Sequence, residues 1–343
     1  MSQPSLFTSA AYLDPLEVSG CVGDRTGWTP LRRSGTYLKA HSWGEFVFDH
    51  AFARAYAQHG EDYYPKLSVC TPFTPVPAPR IPDARAAEEL QSLALAHAAS
   101  GVHALFLPDS EARLLETRGW LRREQTRYVW HNRGYAHFEA FLAALTSKRR
   151  KNIRRERQQI AEAGYRIEWR RAAELDRALW TRIFTHYSDT YRVRGMDPYL
   201  NLHCLQGWAR NLPDAYWFCL AWHGEDCVAM AWYFEDGDRL CGRHWGSAGA
   251  HALLHFELCC YQGIERAITR GLKQFDAGVQ GEHKLLRGFD AECSHSAHWI
   301  AHPGFRDAIA RYLQRERAAV MEEVHALAAH SGYRKHEGSG DLE

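Results

Sequence analysis

The chain has 343 residues, 45% of them hydrophobic and 12 of them tryptophan, enough for two domains or one large one with an ample core. A formal net charge of +1 excludes a general polyanion binder, so any phosphate or nucleic-acid site has to be a local patch. Nine cysteines with no CxxC pair and no regular spacing read as reduced, mostly buried thiols of a cytoplasmic protein. The first twenty residues lack a basic start and a long apolar run, so no signal peptide is expected. No stretch approaches the roughly 18 apolar residues of a membrane span.

Residues 5–19 read as a short helix. Gly, Pro and Arg break any pattern between Thr26 and Lys39. Trp43–Phe48 alternates as a strand does, Phe52–His59 reads as helix and Tyr63–Val69 as strand. The five prolines of TPFTPVPAPRIP exclude a helix interior and a central sheet position. That segment reads as a rigid extended edge, or, if functional, as a groove wall presenting Arg80. Ala84–Ser100 is a helix capped by Asp83 and ended by Gly101, followed by the strand Val102–Leu107. A helix over Asp109–Arg118 ends at Gly119, and Trp120–Trp130 is a long alternating strand.

This order recurs. Gly101 to Gly119 spans 18 positions and Gly271 to Gly288 spans 17, while Trp120 to Trp130 and Phe289 to Trp299 both span 10. The repeated order and spacing predict a duplicated α/β unit. Between the halves, Phe138–Ala163 reads as one or two helices, the second capped by Ser147. It carries SKRRKNIRRER, with seven basic residues from Lys148 to Arg157. A charge run of this kind is usually a solvated face. Its functional reading is a phosphate contact for CoA or tRNA, with Arg150 and Arg154 as candidates. The second half starts with the strand Tyr165–Arg170 and helices over Ala172–Val193 and Pro198–Asn211. Three strands follow, Ala215–His223, Cys227–Asp236 and Arg239–Gly246, with glycine turns between them. A helix over Leu254–Arg270 leads into a short strand through Phe275 and Ala277. Gly278 and Gly281 then bracket a turn carrying Glu282, His283, Lys284 and Arg287, which has the form of an active-site edge. A strand to Trp299 and a helix over Pro303–Ala328 close the chain.

Several blocks resemble the Fem-like N-acyltransferase family, in the branch described as peptidoglycan biosynthesis or recognition. They are YLKAHSWGEFVFD at 37–49, YYPKL at 63–67, PFTPVPAPR at 72–80 and SKRRKNIRRER at 147–157. In the second half they are GRHWG at 242–246, LHFELCCYQGIERAI at 254–268, AGVQGEHKLLRGF at 277–289 and SAHWI at 296–300. The resemblance covers about residues 20 to 325. It implies an α/β fold of two tandem GNAT-like domains, with mixed sheets flanked by helices. The corresponding division is a shortened N-terminal domain over 1–145, a basic helical connector over 146–164, a C-terminal domain over 165–332 and a disordered tail over 333–343. Family members usually carry a hairpin where LRRSG stands here, so the first sheet is expected to be short of strands. The usual glycine is replaced by Ala78 in PVPAPR.

The resemblance also implies direct attack of an amine on an acyl thioester. The usual CoA loop, R/Q-x-x-G-x-G/A, is not clearly present; GSAGAHALLHFE stands in its place, with Gly246 and Gly249 available for backbone approach to phosphate. The incoming ammonium has to lose a proton, and a carboxylate or imidazole can take it. Glu282 and His283 are the first candidates and Glu257 and His255 the second, although positions i and i+2 diverge on a helix. Tyr261 shares the face of Glu257 and either protonates the leaving thiolate or packs. His244 ends a strand facing this helix as either a site or a core residue, whereas Trp245 reads as core. Lys284 and Arg287 either bind a phosphate or substrate carboxylate or pair with surface acids. His251 and His255 stand at i,i+4, but Ala252 occupies the place where a zincin needs glutamate, so no metal is expected. Cys259 and Cys260 in an apolar helix read as structural thiols.

The leading expectation is an N-acyltransferase with no bound cofactor. It takes acyl-CoA or another acyl thioester, including acyl-carrier protein, as co-substrate and an amine of an amino acid or peptide as acceptor. The alternatives are an aminoacyl-tRNA-dependent transferase, which the basic helix favours, and a non-catalytic module binding a peptide or cell-wall fragment. By fold analogy the donor is placed in the second half and the acceptor between the halves.

Overall fold

The computed structural model describes residues 4–31, 35–47, 49–251, 253–278 and 281–334. Among these residues it is a mixed α/β fold built on one sheet of eleven strands with helices on both faces. In the first half lie α1 (Ala10–Val18), β1 (Trp28–Pro30), β2 (Thr36–Lys39), α2 (His50–Gln58), β3 (Lys66–Val69), α3 (Ala84–Ala96), β4 (Gly101–Leu107), α4 (Asp109–Glu116) and β5 (Leu121–His131). Helices α5 (Phe138–Ala144) and α6 (Ser147–Glu162) link the halves. The second half carries β6 (Tyr165–Arg171), α7 (Arg177–Arg192), α8 (Leu202–Asn211), β7 (Tyr216–His223), β8 (Asp226–Asp236) and β9 (Arg239–Ser247). A helix in three continuous pieces follows: α9 (Leu254–Phe256), a π-helical turn (Glu257–Tyr261) and α10 (Gln262–Thr269). Strands β10 (Gln274–Asp276) and β11 (Asp290–Ile300) and the 27-residue helix α11 (Pro303–Ala329) complete the chain.

The strand order is β1-β2-β3-β4-β11-β5-β10-β9-β8-β7-β6. Each half contains one parallel pair, β3 with β4 and β9 with β10, joined through a helix. The last strand of each half is exchanged. β11 pairs antiparallel with β4 of the first half, and β5 pairs antiparallel with β10 of the second. The two exchanged strands then pair with each other from Asp290 opposite Val129 to His298 opposite Leu121. The recurrent glycines stand at matching places: Gly101 and Gly271 at the entry to the second strand of each parallel pair, Gly119 and Gly288 before the exchanged strand. By this grouping the first half holds five strands and the second six among the described residues.

Two expected elements differ. Trp43–Val47 is bent rather than a strand, with Gly44 in the left-handed region at φ +84°, and Phe48 lies outside the described residues. The bend turns Glu45 and Asp49 inward, where both carboxylates meet the Lys66 ammonium. The strand of this region is β2 instead, in the stretch that showed no pattern. Asp83 does cap α3, accepting from the Ala86 N–H at 2.8 Å. All nine cysteines are free thiols, and seven are buried. Among the described residues no helix is long and apolar enough to cross a membrane.

A polar chain fixes the exchanged strand. Ser68, His103 and His298 stand side by side across β3, β4 and β11. Tyr63 donates to Asp49 at 2.5 Å, so its oxygen accepts from His103 Nε2 at 3.3 Å. His103 Nδ1 then accepts from His298 Nδ1 at 2.8 Å, and His298 Nε2 accepts from Ser296 at 3.0 Å. Each donor points toward Asp49, and both imidazoles are neutral. Burial pushes His103 down to about 3, with the Lys66 charge adding, and holds His298 well below the ordinary value. In the unfolded chain both titrate near 6.5. For His103 the unfolded state binds a proton between these limits that the folded state refuses, so stability is intact above about pH 6.5 and falls as pH drops toward about 3, by about 1.4 kcal/mol per unit, with His298 acting in the same direction. Urea unfolding at pH 7 and pH 5 is expected to show this loss. A His103→Gln/His298→Asn variant, though less stable at pH 7, is expected to show a shallower slope.

Candidate active site

Parallel pairing between β9 and β10 stops at Cys241 opposite Asp276, while β9 runs on to Ser247. The strands part there, and a cavity of about 540 Å³ opens in the gap. β9 lines it with Gly242, Arg243, His244 and Trp245, α9 and the π turn with His255, Cys259 and Cys260, and the segment after β10 with Ala277, Gly281, His283 and Lys284. Arg194 stands at its rim, and Trp232 and Tyr233 come from β8. The corresponding gap in the first half is filled. Beyond Val69, where β3 ends, the proline-rich segment runs along β4, with the Ala78 N–H on the Phe106 carbonyl at 3.1 Å. Arg80 does not present itself at a groove. It folds back onto the Leu105 carbonyl, the Thr71 hydroxyl and the Val76 carbonyl. The segment also reaches β9, where Arg243 donates to the Phe73 carbonyl at 3.1 Å and Arg239 to the Pro77 carbonyl at 2.9 Å.

Four of the sequence candidates therefore share one cavity: His244, His255, His283 and Lys284. Their environment makes the imidazoles neutral. Burial pushes His255 down to about 4, helped by His283, Lys284 and Arg287. Burial and then the Arg287 and Lys284 charges lower His283, and burial with Arg243 lowers His244. His283 Nε2 has no hydrogen-bond partner among the described residues. Gly281 makes room for the ring: a Cβ there would lie 2.4 Å from His283 Cε1, and the backbone has φ +110°. Burial keeps the Cys260 thiol up at about 11 and Cys259 well above its ordinary range, so neither is a thiolate.

The other candidates lie elsewhere. Glu282 is exposed and outside the cavity lining. Glu257 and Tyr261 share the opposite face of the helix, against α6. The Glu257 carboxylate accepts from Gln262 at 2.8 Å and meets Arg157 at 3.2 Å, and burial raises it. The Tyr261 hydroxyl donates to Glu156, which also holds Arg287 at 3.1 Å. Arg287 further lies over the Phe256 ring at 3.5 Å and donates to the His283 carbonyl at 3.0 Å, so it anchors the turn to α6. Gly246 packs β9 against α7, since a Cβ there would lie 2.4 Å from the His186 carbonyl oxygen. Gly249, at φ +81°, has open space around it. Arg154 pairs with Glu139, and Arg150 sits half-buried on α6; neither lines the cavity. His251 spans the Tyr165 hydroxyl and the Ala248 carbonyl, both at 2.8 Å.

Arg243 and Arg194 carry no sequence signal of their own. Alternation along β9 puts Arg243 and His244 on opposite faces. The register, however, shifts between Trp232 opposite His244 and Tyr233 opposite Gly242, so Arg243 is the extra residue of a bulge. That bulge is what lets consecutive residues line one cavity. A second irregularity faces it: Tyr233 donates its hydroxyl to the Leu258 carbonyl inside the π turn. Such turns recur at functional sites.

These features define a two-halved α/β chain whose first strand gap is filled and whose second is an open, cation-lined cleft. The chain belongs to the FemAB-like family, described as peptidoglycan biosynthesis/recognition, which it matches over residues 1–335. No curated protein matches the sequence. Among solved structures it is similar in fold to L-PGS from Bacillus licheniformis, at 12% identity and a TM-score of 0.53, with 89% of this chain and 97% of that chain covered. It is likewise similar to FemX, at 10% identity and a TM-score of 0.53, covering 89% of this chain and 94% of that one.

Proposed function

We propose that the chain is an N-acyltransferase whose reaction takes place in the cleft between β9 and β10. The observation that carries this reading is His283: a neutral imidazole on the cavity wall whose buried Nε2 has no hydrogen-bond partner among the described residues. The amine nitrogen attacks the acyl carbonyl, a C–N bond forms and the bond to the leaving sulfur or oxygen breaks. His283 takes the proton the amine sheds and passes it to the departing thiolate or alkoxide, which returns the imidazole to its neutral form. The acceptor is an amine of an amino acid or peptide, and the donor an acyl thioester. Family membership and the fold likeness to FemX support transfer chemistry of this kind.

An aminoacyl ester of tRNA as donor is the second reading. It is favoured by the exposed Lys148, Lys151, Arg154 and Arg155 on α6. The test is a thermal-shift titration with free CoA, short-chain acyl-CoA and long-chain acyl-CoA at two salt concentrations. A ligand at 100 times its Kd adds about 2.7 kcal/mol, which a melt resolves. A shift that grows with chain length supports the thioester donor. No shift with any of them, together with aminoacyl-tRNA binding that falls steeply with salt, supports the tRNA donor. Ligand binding without turnover of either donor overturns the transferase reading in favour of a binding module.

A further inference from the structure

Resting on the transfer reading above, we infer that the molecule whose amine meets His283 also carries a carboxylate or phosphate, held by Lys284 and Arg243 with Arg194 at the rim. Three cations face the cavity, and no Asp or Glu is among its described lining residues. Lys284 is only 5% exposed, yet among the described residues its ammonium has one hydrogen bond, to the Gly278 carbonyl at 2.7 Å. Asp276 acts on this ammonium through space, but no carboxylate lies within salt-bridge distance of it among the described residues. An ammonium has three donors, and burying one without a paired charge is costly. The chain avoids this elsewhere. Lys66, Arg122, Arg123 and Arg287 are buried too, and each meets a carboxylate. Lys39 meets none among the described residues, but it lies against the Trp28 ring at 4.5 Å and the Thr26 carbonyl at 2.6 Å, outside the cavity lining. Arg243 has the Phe73 carbonyl and no carboxylate within salt-bridge distance among the described residues.

These charges also select the acceptor. They repel an ammonium and favour the neutral amine, which is the form that attacks. The same repulsion excludes a simple alkylamine or polyamine, because nothing in the cavity offsets its charge. A substrate that brings its own oxyanion cancels the field and leaves its amine free to approach His283. An amino acid, a peptide with a carboxylate beside its amine or an amino phosphate has this chemistry.

The test measures the melting temperature of the full chain in acetate, in phosphate and in chloride at equal ionic strength. The expected result is a rise of about 2 °C or more over chloride, lost in Lys284→Met and in Arg243→Met and kept in the remote control Arg85→Met. A rise in phosphate alone assigns a phosphate-bearing substrate; a rise in acetate assigns a carboxylate. No difference from chloride, or an equal rise in both cavity variants, overturns the inference. Binding is read here without turnover, so its failure leaves the transfer reading standing, and an absence of turnover leaves an observed anion site standing.

Discussion

Lys66→Met is expected to lower stability by about 3–5 kcal/mol, because it strips the counter-charge from two buried carboxylates. Lys66 is 1% exposed, and its ammonium lies 2.7 Å from Glu45 and in contact with Asp49. The wider shell is nearly closed: Ser68 donates to Glu45 at 2.9 Å and Tyr63 to Asp49 at 2.5 Å. Burial works against every charge here. It raises Glu45, and it opposes the net lowering of Asp49 that the Lys66 charge and the Tyr63 hydrogen bond produce. Methionine fills a similar volume but leaves one carboxylate to take a proton and the other to remain charged in an apolar surround. The damage is expected to travel, since Asp49 is also the end of the chain through His103 and His298 that ties β11 to β4. Equilibrium urea unfolding checks the loss. Adding Glu45→Gln and Asp49→Asn to Lys66→Met is expected to recover part of it. A Lys66→Met midpoint equal to that of the parent chain shows that the three charges are solvated and sinks the argument.

What the sequence carried, and what it did not, follows from the range of the forces involved. Glycines that end helices and turns are local requirements, and Gly101, Gly119, Gly271 and Gly288 stand before or at strand starts, as their spacing predicts. Helical phase is also local. The divergence of His255 from Glu257, and the shared face of Glu257 and Tyr261, are both present in the fold. Strand exchange is not local. Trp120–Trp130 and Phe289–Trp299 read equally well as last strands of their own halves, and only the sheet shows that they trade places. The cavity depends on equally non-local events. The bulge that turns Arg243 inward is a register shift between two strands, and the filled first gap depends on where the proline-rich segment docks. The turn after β10 reads as a candidate site because an acid, an imidazole and two cations crowd between glycines. Which of them faces the cavity was not legible, since a 3₁₀ turn from Glu282 to Arg287 splits neighbours between solvent and interior.

That split gives the second large effect. His283→Gln is expected to lower kcat by about 10²–10⁴-fold, the usual contribution of a positioned general base, with KM changing far less. Glutamine keeps the size and polarity of the side chain but cannot accept the amine proton. Glu282→Gln, one position away, is expected to change kcat less than about threefold, because the Glu282 side chain is exposed and outside the cavity lining. The pH profile separates a base from a packing residue. Burial and the Arg287 and Lys284 charges hold His283 below its ordinary value, so the imidazole is already in its accepting form at neutral pH. The parent rate is therefore expected to be flat near pH 7 and to fall only below about 6.5, where the imidazole begins to take up a proton. His283→Gln is expected to lose that limb along with the rate, whereas a variant that merely loosens the turn keeps the limb at lower amplitude. Equal losses in His283→Gln and Glu282→Gln, or an acid limb that survives in His283→Gln, place the base elsewhere on the cavity wall. His255, pushed down to about 4 and 5.9 Å from His283 between ring centres, is then the next residue to replace.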